Sequence, residues 1–265
     1  MSSLAERFAT LRYEKRGGFI PFIVAGDPNL GTTGELLPAL SRLGATAIEV
    51  GIPFSDPTAD GPVIQRAAQR SLRHGTALPG VFQMLQDTRR QELAPIVLFS
   101  YYNPIFQFGL EKFASMAAAC GVAGVLVVDL PPEGATVLHK ELRRLEIDLI
   151  LLAAPTTTDL RLKQITRIAS GFIYAVARTG VTGTARKQGD ESQQLVARIR
   201  AVTDLPVAVG FGITTRDQAR RVCRYADAAV VGSRLVAAIE TAAAGKKSSR
   251  SLVVRSALEC AREFV

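Results

Sequence analysis

One acidic side chain lies where an apolar strand is expected, and two more follow it in the next loop. Glu49 lies within the apolar run 47–50, which is typical of a strand buried on both faces. An unpaired carboxylate is costly there, so burial should raise its pKa. Asp56 and Asp60 belong to the Gly- and Pro-rich segment 51–62, which is predicted to be a loop. A buried acid at the end of a strand, followed by an acidic loop, indicates acid–base chemistry.

Each of the two loop acids also has a purely structural explanation. Asp60 lies just before Pro62, so its side chain could cap the helix that starts there. Asp56 precedes Pro57, and this pair is ordinary turn chemistry. Neither explanation applies to Glu49, because caps and turns do not place an acid within the core of a strand. Glu49 is therefore the stronger catalytic candidate, and both roles stay open for Asp60.

Glycines recur in the loops that follow the last three expected strands. They are Gly180, Gly183, Gly210, Gly212 and Gly232, the last followed by Ser233. Backbone N–H groups can approach an anion closely at glycine, and a helix expected to begin near Ser233 points its positive end at the same place. A single glycine of this kind is usually a turn residue. Repetition over three loops predicts a phosphate site with a short helix after the eighth strand.

Alternating strands and helices must hold these groups in place. Eight apolar runs are predicted to be strands, and a segment of helical character follows each one. The runs lie near 19–25, 46–50, 95–99, 124–128, 148–153, 172–177, 206–210 and 228–231. Such alternation requires a parallel sheet with right-handed crossovers, and eight units in about 250 residues fit a (β/α)₈ barrel with its active site at the C-terminal strand ends. An open doubly wound sheet is the alternative, but the first turn, residues 25–29, has no dinucleotide-binding glycine pattern.

Four further features refine the expected fold. Residues 2–15 are predicted to form an extra N-terminal amphipathic helix, and the interval between the second and third strands has room for two helices, 62–73 and 79–93. Pro38 falls in the helix after the first strand, where a proline costs about 3 kcal/mol, so that helix is expected to start late or to kink. The length fits one barrel or two smaller domains, and the eight units favour a single barrel domain over 1–265.

Composition excludes several classes of protein. The 265-residue chain has a net charge of +8, but its basic residues are spread over predicted helices without interleaved aromatic residues, so solvated helix faces explain them better than nucleic-acid binding. No apolar run approaches the roughly 20 residues that span a bilayer, and no export signal is expected. Three widely spaced cysteines and two distant histidines indicate reduced thiols in a cytoplasm and no histidine-based metal site.

The segment 49–65 resembles the signature of the tryptophan synthase α-subunit family. It reads Glu-Val-Gly-Ile-Pro-Phe-Ser-Asp-Pro-Thr-Ala-Asp-Gly-Pro-Val-Ile-Gln. The likeness extends from about residue 8 to 236, and it includes the specific Gly-Val-Thr-Gly motif at 180–183 and the less specific Gly-Phe-Gly-Ile motif at 210–213. The resemblance implies a lyase of tryptophan biosynthesis that splits indole-3-glycerol phosphate into indole and glyceraldehyde 3-phosphate by a retro-aldol reaction. It implies no metal and no organic cofactor.

The resemblance also implies a role for each matching residue. Glu49 is expected to act as acid and then as base, and Asp60 to accept a hydrogen bond from the indole N–H. Thr182 is expected to bring a mobile lid, residues 178–190, over the site. Further substrate contacts are expected at Phe22, Tyr101, Leu126, Tyr174, Gly183, Phe211, Gly212, Gly232 and Ser233.

A protein partner is implied in the same way. In the family, the loops after the second, third and fourth strands face a pyridoxal-phosphate-dependent β subunit in an α₂β₂ complex. The matching positions here are Pro53, Asp56, Asn103, Phe106, Asp129 and Pro131. Prolines lower the entropy lost when loops dock, and exposed aromatic residues supply anchors for an interface. Packing of these loops on one another is the simpler alternative.

Two positions depart from the family pattern, and three other functions stay open. Arg234 follows Ser233 where a small residue is usual, and it could add a cation to the phosphate site or turn outward; Ala177 replaces a common serine. The alternatives are a free-standing indole-releasing lyase, another phosphate-binding barrel such as a sugar-phosphate isomerase, and a non-catalytic subunit that activates a partner. The presence of both Glu49 and Asp60 argues against the last.

Overall fold

Eight parallel strands close into a barrel, with each strand paired to the next in the chain and the last paired to the first. The computed structural model describes residues 2–177, 185–245 and 248–265, and for 185–190 the backbone alone. The strands are β1 (Gly18–Val24), β2 (Ile48–Gly51), β3 (Ile96–Ser100), β4 (Val122–Val127), β5 (Asp148–Ala153), β6 (Ile173–Val176), β7 (Val207–Gly210) and β8 (Ala228–Val231). The predicted (β/α)₈ barrel is confirmed, and each strand lies within two residues of its predicted ends.

Helices alternate with the strands and surround them. Those of the described residues are α1 (Ser3–Tyr13), α2 (Leu30–Leu43), α3 (Pro62–Arg73), α4 (Leu78–Thr88), α5 (Tyr102–Phe108), α6 (Leu110–Ala119), α7 (Thr136–Arg144), α8 (Asp159–Ile168), α9 (Ala185–Arg200), α10 (Arg216–Val222), α11 (Ser233–Ala243) and α12 (Arg250–Ala261). A 3₁₀ turn, Arg262–Phe264, follows α12. In this part of the chain, no helix is long and apolar enough to cross a membrane.

The predicted N-terminal helix, α1, covers the N-terminal end of the barrel. Its first turn is capped by the Ser2 side chain, which accepts a hydrogen bond from the Ala5 N–H at 3.3 Å. Its buried face carries Leu4, Phe8 and Leu11, which join the apolar cluster inside the barrel. The Phe8 ring lies 5.6 Å from the ring of Phe172, just before β6. This end is therefore filled with side chains, and the opposite end is left for the site.

Two apolar layers hold the fold together. One lies between the outer faces of the strands and the surrounding helices, and the other fills the barrel interior. The interior layer includes Phe22, Phe99, Leu126, Ile150 and Tyr174, which point inward from five different strands. Inward and outward residues alternate along each strand, because successive side chains of a strand point to opposite faces.

The prediction that the helix after β1 would start late is wrong. α2 begins at Leu30, directly after Asn29, whose side chain accepts a hydrogen bond from the Thr32 N–H, and it continues through Pro38. Its Leu36 and other leucines of the same face are buried against the barrel. Each such leucine contributes about 2 kcal/mol, so together they outweigh the local cost of about 3 kcal/mol for the proline.

The other predicted helices agree with the structure except at one end. The pair α3 and α4 occupies the interval between β2 and β3, and α12 with its 3₁₀ turn occupies the predicted last helix at 251–264. α4 stops five residues before its predicted end at 93. The Thr88 hydroxyl donates to the carbonyl groups of Met84 and Leu85 at its last turn, and the chain then leaves the helix.

Candidate active site

A cavity opens at the C-terminal ends of the strands, where the site was expected. The space within it, together with the part open to solvent, is about 420 Å³. It is lined by Phe22, Asp60, Ile64, Phe99, Tyr174, Phe211, Gly212, Ile213, Val230, Gly232 and Ser233. Aromatic and aliphatic side chains make up most of the lining, while the glycines and the serine add backbone N–H groups. Such a lining suits a ligand with an apolar half and an anionic half.

β2 carries Glu49 on the inner face of the barrel, between Phe22 of β1 and Val97 of β3 in the strand register. The side chain is fully buried, and neither carboxyl oxygen has a hydrogen-bond partner among the described residues. Burial raises the pKa of Glu49 to about 8. The carboxyl is therefore mostly protonated at neutral pH, which is the state that a general acid needs.

Asp60 lines the cavity and is held by Tyr101. The Tyr101 hydroxyl donates to Oδ2 of Asp60 at 3.2 Å and accepts from the Ala59 N–H at 2.9 Å. The helix-capping alternative for Asp60 is wrong, because Gly61 occupies the N-cap of α3 and no side chain caps that helix. Burial raises the pKa of Asp60 to about 6, against the smaller lowering effect of the Tyr101 hydrogen bond. The carboxyl is mostly ionised at neutral pH and available as an acceptor.

Tyr174 lines the cavity near both acids. Burial raises the pKa of Tyr174 well above its ordinary value, with further contributions from the charges of Glu49 and Asp60. The ring lies 5.7 Å from the ring of Phe211 in an edge-to-face arrangement. A Cβ atom at Gly210 would overlap the Tyr174 hydroxyl and ring, so glycine is required at this end of β7.

The loops after β7 and β8 form the polar end of the cavity. Gly212 has φ of 92°, a left-handed conformation that favours glycine. Gly232 and Ser233 lie at the start of α11, whose first-turn N–H groups and positive dipole end are suited to an anion. A Cβ atom at Gly232 would meet the ring of Phe22 at 3.3 Å, so a larger residue here would press on a ring that lines the cavity.

The remaining predicted substrate contacts fall into two groups. Thr182 and Gly183 lie outside the described part of the chain, as do all of residues 178–184. For the rest of the proposed lid at 178–190, only the backbone is described. Leu126 is fully buried inside the barrel and, with Tyr101, is not among the described residues that line the cavity. Tyr101 acts instead through its bond to Asp60.

Four cavity residues were missed by the sequence reasoning. They are Ile64, Phe99, Ile213 and Val230. Phe99 and Val230 lie near the C-terminal ends of β3 and β8, where the inward positions of each strand could have been read from its alternation. Ile64 lies after Asp60, on the first turn of α3, where no strand alternation marks the inward-facing positions.

Most of the predicted partner-facing residues lie on the surface around the cavity mouth. Asp56, Asn103, Phe106, Asp129 and Pro131 are exposed, and the Phe106 side chain is 56% exposed. Pro53 differs, because it is buried within the chain. The loops are also tied to one another, since Oδ1 of Asp129 accepts a hydrogen bond from the Tyr102 N–H at 2.7 Å.

Arg234 turns away from the anion-binding end of the cavity. Its guanidinium lies 3.6 Å from the Glu263 carboxylate in the C-terminal 3₁₀ turn. The Arg234 carbonyl also accepts a hydrogen bond from the Cys260 thiol at 3.7 Å. Of the two possibilities raised by the sequence, the outward orientation is therefore the one observed, and Arg234 fastens the C-terminal segment to α11.

A closed parallel barrel with two acids of raised pKa, one in β2 and one in the loop after it, is typical of acid–base enzymes of the (β/α)₈ class. A family model described as tryptophan synthase alpha chain matches residues 8–263. A tryptophan synthase alpha chain from Acidiphilium cryptum is 48% identical over 237 residues, which cover 89% of this chain and 86% of the relative. The chain belongs to the tryptophan synthase alpha chain family, and it is a lyase that cleaves indole-3-glycerol phosphate.

Solved structures agree with this assignment. The tryptophan synthase alpha subunit from Legionella pneumophila superposes with a TM-score of 0.87 at 33% identity, and all of each chain is covered. A chain of the tryptophan synthase α₂β₂ complex from Pyrococcus furiosus superposes with a TM-score of 0.85 at 39% identity, covering 94% of this chain and 97% of that one. The predicted family and fold are therefore both confirmed.

Proposed function

We propose that Glu49 supplies the protons for the retro-aldol cleavage. The bond between indole C3 and the glycerol carbon breaks, its electron pair stays on C3, and C3 takes a proton. The neighbouring glycerol hydroxyl loses its proton as the aldehyde forms, so one carboxyl can give a proton and then take one. The observation that carries this role is the full burial of the Glu49 carboxyl without a hydrogen-bond partner among the described residues, and this burial raises its pKa to about 8.

A rotation of the Glu49 side chain precedes its contact with substrate. The carboxyl has no exposed surface, and Glu49 is not among the described residues that line the cavity. Phe22, which is paired with Glu49 in the strand register, does line the cavity. Without a polar partner the carboxyl is not held in its buried position, so a small turn toward the ligand breaks no hydrogen bond with the described residues.

Asp60 binds the indole N–H, and the glycine loops bind the phosphate. The Asp60 carboxylate, mostly ionised at neutral pH, offsets the positive charge that develops on the indole nitrogen when C3 is protonated. The first-turn N–H groups of α11, with Gly212 and Gly232 beside them, face the anion. The separation of an apolar and a polar end in one cavity supports this orientation of the substrate.

The anion site has a direct test. Gly212→Val places a branched side chain at a left-handed position of the cavity wall, so affinity for glyceraldehyde 3-phosphate should fall about tenfold through loss of close N–H contacts. Gly75→Val is the matched control, since Gly75 has φ of +73° with open space around its Cβ position, far from the cavity wall. Calorimetry should show the loss for the Gly212 variant alone; equal affinities contradict the anion site.

A β subunit is the proposed partner, and the cytoplasm is the proposed location. The Pyrococcus furiosus relative is described as part of a mutually activating α₂β₂ complex. The exposed loops around the mouth, including Phe106 and Asp129, offer an apolar anchor and charged contacts to such a partner. The three free cysteines support a reducing compartment.

The proposed function is tested by indole release from indole-3-glycerol phosphate, with and without a cognate β subunit. Faster indole release in the presence of the β subunit supports the complex. Rapid indole release by this chain alone, without formation of a complex, favours a free-standing lyase. Glu49→Gln should abolish turnover while the affinity for glyceraldehyde 3-phosphate stays near that of the wild type. Glu111→Gln, an exposed position on α6, is the control. Normal turnover of the Glu49 variant contradicts the mechanism.

A further inference from the structure

Outside the cavity, one arginine joins three segments of the chain. In α3, Nε and Nη2 of Arg70 donate to the two carboxylate oxygens of Asp27 at 2.8 and 2.9 Å. Nη1 of Arg70 donates to Oε1 of Glu240 in α11 at 2.6 Å. Arg66, one turn earlier in α3, donates to both oxygens of Glu240 at 2.8 Å. The four side chains form one continuous network.

This network differs from an ordinary surface ion pair because part of it is covered, while Arg66 at its edge is 51% exposed. The Asp27 side chain is 1% exposed, and those of Arg70 and Glu240 are 23% and 25% exposed. Burial raises the pKa of Asp27, and the hydrogen bond and charge of Arg70 act against that rise. Hydrogen bonds from Arg66 are the main cause that lowers the pKa of Glu240 to about 2. Arg66 and Arg70 therefore favour the charged form of Glu240, and Arg70 favours that of Asp27.

Each joined segment also carries a part of the site. α3 begins two residues after Asp60. α11 begins at Ser233, two helical turns before Glu240, and it packs against both α3 and β1. Asp27 lies in the loop after β1, the strand that carries Phe22. The segments that Arg70 joins therefore lead to Asp60, to Ser233 and to Phe22, which all line the cavity.

We propose that Arg70 is a positioning residue, which sets the spacing between the Asp60 carboxylate and the N-terminus of α11 by holding Asp27 and Glu240 together. The inference rests on the proposed roles of Asp60 and of the α11 N-terminus. A substrate that is fixed at its phosphate presents its indole N–H to Asp60 only when this spacing is right. A displacement of about 1 Å at that distance can reduce turnover about a hundredfold.

Loss of Arg70 leaves α3 docked on the barrel. Ile64, Ala67 and Ala68 of α3 are buried, and the Ser71 hydroxyl donates to the Ala25 carbonyl at 2.5 Å, which independently ties α3 to the end of β1. A variant at position 70 is therefore expected to fold, with Asp27 released from Glu240 while Arg66 still joins α3 to Glu240. Lysine does not replace arginine here, since a single ammonium group lacks the planar fork that holds two carboxylates.

The test compares Arg70→Met, Arg70→Lys and Glu240→Gln. The control is Arg73→Met, an exposed arginine of the same helix that makes no ion pair with any described residue. We expect kcat/KM for indole-3-glycerol phosphate to fall at least about tenfold in the Arg70→Met and Glu240→Gln variants and only partial recovery with lysine. The dissociation constant of glyceraldehyde 3-phosphate should rise less than about threefold, because that ligand reaches only one end of the cavity.

The measurements distinguish a positioning role of Arg70 from a general loss of stability. Wild-type kcat/KM in Arg70→Met overturns the positioning role. Equal losses of kcat/KM and of glyceraldehyde 3-phosphate affinity, or losses that match a fall in the folded fraction, show general destabilisation and also overturn it. If the proposed anion site is wrong, the separate Gly212→Val test shows it, because the affinity of that variant for glyceraldehyde 3-phosphate is then unchanged. A selective loss of kcat/KM with a normal folded fraction supports the positioning role.

Discussion

Glu49→Gln should change how the stability of the protein depends on pH. The pKa of the Glu49 carboxyl is 4.5 in the unfolded chain and about 8 in the folded protein. Because the folded pKa is raised, the stabilising contribution of proton binding is fully present below pH 4.5 and is lost as the pH rises through 8. Glutamine has nearly the same shape and does not titrate, so this pH dependence disappears in the variant.

The size of the effect follows from the two pKa values. A tenfold difference in proton affinity corresponds to about 1.4 kcal/mol. Between pH 4.5 and pH 8, Glu49 alone therefore removes about 4 kcal/mol from the free energy of unfolding of the wild type. The intrinsic cost of burying a glutamine amide is the same at every pH, so it cancels when the difference between the two proteins is followed along the pH scale.

Urea unfolding at several pH values provides the measurement. The free energy of unfolding of the wild type minus that of Glu49→Gln should fall by about 4 kcal/mol over this interval. The same difference for Glu111→Gln, on the exposed face of α6, should stay nearly constant. A constant difference for Glu49→Gln as well would refute the assignment of a raised pKa to this carboxyl.

Two further substitutions test the surroundings of the acids. Gly210→Ala should destabilise the protein by about 2 kcal/mol, because the new Cβ overlaps the tyrosine ring packed over it, whereas Gly61→Ala meets no atom within 4 Å. Thermal unfolding measures this difference, and equal melting temperatures of the Gly210→Ala and Gly61→Ala variants would contradict the steric requirement. Tyr101→Phe removes a hydrogen bond that lowers the pKa of Asp60, so the acid limb of kcat/KM should move upward from pH 6. An unmoved limb would show that the hydroxyl does not stabilise the carboxylate.

Local sequence patterns were sufficient for the barrel and for its central acid. The eight strands are short apolar runs between breakers, so their positions could be read directly, and Glu49 was conspicuous because it interrupts one of them. α2 was predicted less well, since the effect of Pro38 depends on how much of that helix is buried. Such burial is a property of the folded chain and cannot be predicted from a short stretch of sequence.

Contacts between distant parts of the chain could not be predicted. The role of Asp60 changed from a possible cap to a cavity acid because of Tyr101, which lies 41 residues further along the chain. Arg70 is 43 residues from Asp27 and 170 residues from Glu240, and nothing in the local pattern of α3 pairs them. When only one segment is considered, its charged helix residues are predicted to face solvent. The closed barrel is what brings Asp27, Arg70 and Glu240 together.

If a protonated Glu49 and an ionised Asp60 act on the same substrate, the pH profile of kcat/KM for indole release should show both carboxyls. The free enzyme should be most active between the two pKa values, with one limb near pH 6 from Asp60 and the other near pH 8 from Glu49. In Asp60→Asn the residual activity should keep the limb near pH 8 and lose the one near pH 6. A profile that keeps rising above pH 8 would contradict the account, since deprotonation of Glu49 removes the acid that the cleavage requires.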